Sequence, residues 1–181
     1  MSDLLRDLWY FAATSRELKR GAMFRREILG EPIVLGRDEE GRAFALRDIC
    51  PHRAVPLSAG RIVSNDGVQT VECPYHGWTW DGDGRLAALP AAGLRGDACR
   101  AAHPGLTVPS HAVQESQGFV WVASVGGAAP ATPPLPFPHL GEPGWTSFVM
   151  TTRFAGDVET CLENFLDCPH ATFVHRYWFR A

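Results

Sequence analysis

The sequence predicts a mainly β protein: a domain of short antiparallel sheets over residues 1–125, then the truncated start of an α+β domain. Three observations carry this. Short runs rich in Val, Ile, Thr, Phe and Trp alternate with turns built on Gly, Asn and Asp, as in an all-β sandwich or barrel-like unit. Residues 126–144 hold Pro130, Pro133, Pro134, Pro136, Pro138 and Pro143, a composition suited to a stiff, extended linker. Beyond it, apolar residues switch to helical spacing.

The elements follow in order. Leu4, Leu5, Leu8, Trp9, Tyr10 and Phe11 are spaced for a short helical turn running into a strand. Residues 23–29 and 33–36 read as strands, with Pro32 marking an edge or a break. Asp38-Glu39-Glu40-Gly41 turns the chain, and residues 43–46 return it to Cys50. Gly60, Ile62 and Val63 precede a turn signal at Ser64-Asn65-Asp66-Gly67, after which residues 68–72 deliver Cys73. Thr79 and Trp80, the turn Asp81-Gly82-Asp83-Gly84 and residues 85–89 make a hairpin. Residues 90–105 read as loop, and 107–113 and 119–124 as strands around Gln117-Gly118. After the linker, residues 147–154 alternate as a strand. Val158, Cys161, Leu162, Phe165 and Leu166 then recur at helical spacing behind Gly156-Asp157. One strand and a helix cannot enclose a core, so residues 145–181 read as the beginning of a second domain.

Net charge is −3 and spread along the chain, which gives a nucleic-acid partner no support. Arg16, Lys19, Arg20, Arg25 and Arg26 form a local basic group: a solvated face, or a docking patch for an acidic redox partner. Asp3, Arg6 and Asp7 interrupt the early apolar residues, against a signal peptide. No apolar run approaches the roughly 20 residues of a membrane span. The expected compartment is the cytoplasm, where five cysteines point to metal ligation before disulfides.

Two stretches carry that chemistry: Cys50-Pro51-His52-Arg53 and Cys73-Pro74-Tyr75-His76-Gly77-Trp78. Each offers one thiolate and one imidazole on a loop between strands, so two ligand pairs can meet from opposite sides. Two Cys and two His suit a [2Fe–2S] cluster with the thiolates on one iron and the imidazoles on the other. They also suit a tetrahedral zinc ion, although zinc motifs usually keep like ligands together, and here each pair is mixed. Cys99, Cys161 and Cys168 remain as small buried residues or free thiols. Further on, His170 and His175 lie five positions apart, about 140° on an ideal helix. They share a face only if the backbone changes there, and Pro169 supplies a reason for a kink or a new helix start.

With these motifs, and with Pro56-Leu57 and Asp81-Gly82-Asp83-Gly84 behind them, residues 9–125 resemble the Rieske domain of the Rieske non-haem iron oxygenases. Trp9-Tyr10-Phe11-Ala12, Leu35 and Cys50-Pro51-His52-Arg53 resemble the phthalate and O-demethylase branch. The resemblance implies a [2Fe–2S] cluster on Cys50, His52, Cys73 and His76, with Gly77 allowing close backbone approach and Trp78 excluding water. The extra cysteines that form a disulfide in respiratory Rieske subunits correspond here to Val55 and Tyr75. A potential toward the low end of about −150 to +300 mV is therefore expected.

The run Asn164-x-x-Asp167-x-x-His170-x₄-His175 resembles the iron-site motif of the same oxygenases. It implies His170 and His175 as ligands of Fe(II). Asp167 is then the carboxylate that links His170 to His76 of the partner subunit in a homotrimer. The family's third ligand, a later carboxylate, has no counterpart in the sequence. A second chain completing the catalytic domain, a piece of a longer oxygenase, or a vestigial site would each account for that. The implied activity takes electrons from a reductase or ferredoxin through the cluster to Fe(II). That iron activates O₂ to hydroxylate or demethylate a small organic, aromatic substrate, as a mono- or dioxygenase. The alternative is a non-catalytic Rieske ferredoxin-like electron carrier.

Overall fold

The computed structural model describes residues 7–65, 67–123 and 129–179. The strands are β1 (Trp9–Thr14), β2 (Met23–Ile28), β3 (Glu31–Arg37), β4 (Ala43–Arg47), β5 (Arg61–Asn65), β6 (Val68–Glu72), β7 (Thr79–Asp81), β8 (Leu86–Leu89), β9 (Leu94–Arg95), β10 (Ser110–His111), β11 (Val113–Ser116) and β12 (Phe119–Ala123). The helices are α1 (Gly96–Ala102), α2 (Val158–Leu166), α3 (His170–Val174) and α4 (Arg176–Phe179). The strands form three antiparallel sheets in the orders β1-β12-β11, β10-β4-β3-β2 and β5-β6-β7-β8-β9. The mainly β class is as the sequence predicts.

The middle sheet is buried on both faces, which is why β3 runs Ile33-Val34-Leu35 without polar alternation. Ile33, Leu35 and Ala45 join Ala12, Val120 and Val122 of the first sheet in one core. Val34 and Leu46 join Val71, Trp80 and Leu86 of the third sheet in another. That second core includes Cys50, Leu57 and Cys73, so the two ligand loops are rooted in it. Burial of this kind contributes about 25 cal/mol per Å² of apolar surface.

Several expectations need correction. Residues 90–105 are not loop: a 3₁₀ turn at Pro90–Ala92, strand β9 and helix α1 follow one another, and Cys99 of α1 is fully buried. Residues 107–113 are not one strand: β10 pairs with β4 and β11 with β12, so the chain changes sheets at Ala112. Arg61–Asn65 is strand β5, not merely the approach to a turn. Residues 147–154 adopt no regular structure, because no neighbouring strand among the described residues offers their backbone a ladder. The helical turn expected before Trp9 lies mostly outside the described residues. So does the last residue of the strand expected at 119–124.

The chain divides into two compact units, Met1–Leu140 and Gly141–Ala181. The described proline-rich residues of the first unit have no regular structure, yet they are tied down. Trp9 Nε1 donates to the Thr132 carbonyl at 2.8 Å. The Gln117 amide accepts from Phe137 N at 2.7 Å and donates to Phe137 O at 3.0 Å. The Phe137 ring lies against Phe119 and Trp121. The basic group is also partly tied inward, since Arg26 donates to Ala12 O and Arg20 to Glu39 O. In the second unit, Asp157 caps α2 by accepting from Thr160 N at 2.8 Å. Leu166, Phe173 and Tyr177 are largely exposed there. Among the described residues no helix is long and apolar enough to cross a membrane.

Candidate metal centre

The first ligand loop leaves β4 and folds tightly. Cys50 N donates to Val55 O at 2.9 Å and Ala54 N to Cys50 O at 2.8 Å, with Ala54 in the left-handed region at φ 56°. The loop leaves through Pro56 into a 3₁₀ turn at Leu57–Ala59, whose Leu57 is fully buried in the core. The second loop joins β6 to β7. Cys73 N donates to Trp78 O at 2.8 Å and Gly77 N to Cys73 O at 3.1 Å. Gly77 has φ 69°, a conformation glycine adopts without penalty. Gly60 brings the loops together: a Cβ there would lie 1.9 Å from the Glu72 carbonyl oxygen, one residue before Cys73.

Between the loops lies a pocket lined by Cys50, His52, Arg53, Val55, Cys73, Tyr75 and His76, with about 120 Å³ of empty space that is partly open to solvent. Both thiols are buried. The His52 and His76 ring centroids are 4.6 Å apart. Trp78 stacks flat on His52 at 4.2 Å and 3°. His52 Nδ1 is buried without a hydrogen-bond partner. Such a nitrogen is costly to bury unless something else binds it.

Burial pushes the Cys50 thiol above its ordinary pKa; the backbone N–H groups of His52 and Arg53 pull it back, and the Cys73 sulfur adds to the rise. Burial lowers the His52 pKa, helped by His76 and Arg53, which keeps the imidazole neutral and able to donate a lone pair. Iron binding would displace the thiol protons. The donor set and the orphaned nitrogen fit a [2Fe–2S] cluster. Among the described residues no three His, Cys, Asp or Glu side chains gather around a single point. A [2Fe–2S] cluster asks for only two protein ligands at each iron.

In the second unit the backbone changes on both sides of the first histidine's helix. α2 ends at Leu166, Pro169 precedes α3, and His175 closes α3 before α4 begins. The His170 and His175 rings therefore meet, with centroids 5.4 Å apart. His170 Nδ1–H donates to the Asp167 carbonyl, which leaves Nε2 as the free nitrogen. The Asp167 carboxylate is 3.6 Å from the same Nδ1 and more than half exposed. Cys161 and Cys168 are free thiols on this unit.

Asp48 and Ser58 also bear on the first loop and belong to no motif. Their only sequence signals are an acidic residue between an apolar strand and a ligand Cys, and a Ser two places before Gly60.

The profile of the Rieske [2Fe–2S] domain family matches residues 8–103. Chlorophyllide a oxygenase of Chlamydomonas reinhardtii is 34% identical over 179 residues, covering 97% of this chain and 25% of that protein. The vanillate O-demethylase oxygenase subunit of Pseudomonas sp. strain HR199 is 34% identical over 173 residues, covering 94% of this chain and 45% of the relative. The crystal structure of dicamba monooxygenase bound to 3,6-dichlorosalicylic acid superposes with TM-score 0.65 at 31% identity, over 94% of this chain and 47% of that one. The chain spans a quarter to a half of the length of these relatives.

Proposed function

The chain belongs to the Rieske [2Fe–2S] domain family, and from that premise we propose that it is the electron-transfer portion of a Rieske non-haem iron oxygenase. Cys50 and Cys73 hold one iron of the cluster, and His52 and His76 the other. The observation that carries this is the buried, unpartnered Nδ1 of His52 beside two buried thiols. Family membership favours the cluster over zinc. The cluster supplies one-electron transfer when bound, and Fe(II) supplies O₂ activation.

The protein's own residues do the rest. Trp78 orients His52 by stacking and excludes water from one side of the pocket. Tyr75 is exposed beside His76 at the mouth, where a reductase or ferredoxin has access. His170 and His175 supply two nitrogens for Fe(II). Asp167 fixes the tautomer of His170 and joins it, in a homotrimer, to His76 of the partner subunit. Residues 126–144 link the two parts, and 145–181 begin the catalytic domain. A later carboxylate, from further chain or a second polypeptide, completes that site. The substrate is a small aromatic compound, hydroxylated or demethylated in the cytoplasm.

Metal and sulfide analysis of the reconstituted protein tests this. About two irons and two acid-labile sulfides per chain are expected. A third iron with substrate-dependent oxygen uptake marks the oxygenase. Two irons without uptake, once the carboxylate-bearing part is supplied, would make the chain a carrier.

A further inference from the structure

Asp48 stands two residues before Cys50 and its side chain is fully buried. A carboxylate in that position is expensive unless its oxygens are satisfied. They are: Ser58 N donates to Oδ1 at 2.7 Å, Ser58 Oγ donates to Oδ2 at 2.6 Å, and Arg25 Nη1 of β2 lies 3.6 Å from Oδ2. The Asp48 backbone is itself fixed, because its N–H donates to Pro32 O of β3 at 2.8 Å. Residues 48 and 58 flank the whole first ligand loop, so this contact is a chord across it. The second loop lacks a chord of this kind among the described residues and is closed by its own backbone bonds. The first loop needs the extra tie. Beyond the bonds between Cys50 and the 54–55 turn, the backbone bonds after it close only its 3₁₀ exit, and it bends through a left-handed Ala54.

We propose that Asp48 is a positioning residue for the metal cluster. Its carboxylate clamps the start of the first ligand loop to its exit at Ser58 and so holds Cys50 and His52 at the spacing the cluster requires. Arg25 backs the clamp from the edge strand. This inference rests on the cluster assignment above.

The test uses the full chain reconstituted with iron and sulfide, and follows loss of visible absorbance under excess EDTA. Asp48→Asn and Ser58→Ala should each lose the cluster about tenfold faster than the parent. The double variant should be no faster than Asp48→Asn alone, since one clamp is broken once. The reduction potential and EPR line shape of Ser58→Ala should also shift, which a merely fold-stabilising role would not produce. If Asp48→Asn does not fold, Ser58→Ala, at a half-buried position, still decides. Parent-like decay and spectra in the variants, or additive acceleration in the double variant, would overturn the clamp while leaving the cluster assignment intact. A parent chain that takes up no cluster would overturn both.

Discussion

The molecule presents two pairs of histidines in opposite ways. His52 sits on a loop that crosses from one sheet to the next and His76 on a hairpin loop, both rooted in a packed core, and His52 keeps a buried Nδ1 free. His170 and His175 sit on a short, exposed helix, and His170 spends its Nδ1 on the Asp167 carbonyl, leaving Nε2. The ring separations are similar, 4.6 and 5.4 Å. What differs is the support. The first pair is pre-organised by long-range packing, the second by three residues of local backbone. The difference lies in what anchors the backbone, since each pair holds one half-buried and one exposed histidine: the first pair's loops start from a packed core, and the second pair's helix has no buried residue.

That contrast can be broken most forcefully at two leucines. Leu57, fully buried beneath the first ligand loop, should lose about 2–5 kcal/mol of stability on Leu57→Ala. Leu166, 77% exposed at the end of α2, should lose less than about 0.5 kcal/mol on the same change. Urea denaturation followed by near-UV circular dichroism measures both, and comparable losses would erase the distinction. Asp167→Asn sharpens the comparison next. On the function proposed above, it keeps the backbone carbonyl that orients His170, so iron loading should persist, while electron transfer between the two proposed metal centres should slow about tenfold or more. Single-turnover kinetics reads this directly, and unchanged turnover would remove Asp167 from the path.

A pH-dependent effect comes from His111, buried on β10. Burial lowers its pKa, with Glu31 opposing and Arg47 adding to the shift. Above its ordinary value of 6.5 the ring is neutral whether folded or unfolded, and contributes no slope. As pH falls below 6.5 the unfolded chain takes up a proton that the folded chain resists, so stability declines. His111→Gln should flatten that decline, by at most about 1.4 kcal/mol per pH unit, in denaturation midpoints measured from pH 7 to 5.

Much of this was legible in the residues. Flanking turns and β-rich runs mark β2, β6, β8 and β12, and the mixed Cys/His pairs mark the pocket. Pro169 gives the reason that His170 and His175 can meet. Other features depend on contacts distant in sequence. Helix α1 has little periodic pattern because it buries one residue, Cys99. Residues 147–154 alternate like a strand, but alternation without a partner makes no ladder. Composition marks the proline-rich segment as extended. It does not reveal that Phe137 packs on Phe119 and Trp121 of β12, rings that Phe11 of β1 also touches, because those contacts join residues far apart in sequence. The Asp48–Ser58 contact is hidden too, because the residues do not show that the carboxylate is fully buried.

Pulsed EPR of the dithionite-reduced, reconstituted chain tests the central claim most directly. The account predicts a [2Fe–2S] signal with hyperfine couplings from two directly bound imidazole nitrogens, lost together with the visible colour in Cys73→Ser. A cluster without nitrogen couplings, or a colourless chain that takes up zinc in place of iron and sulfide, would contradict it.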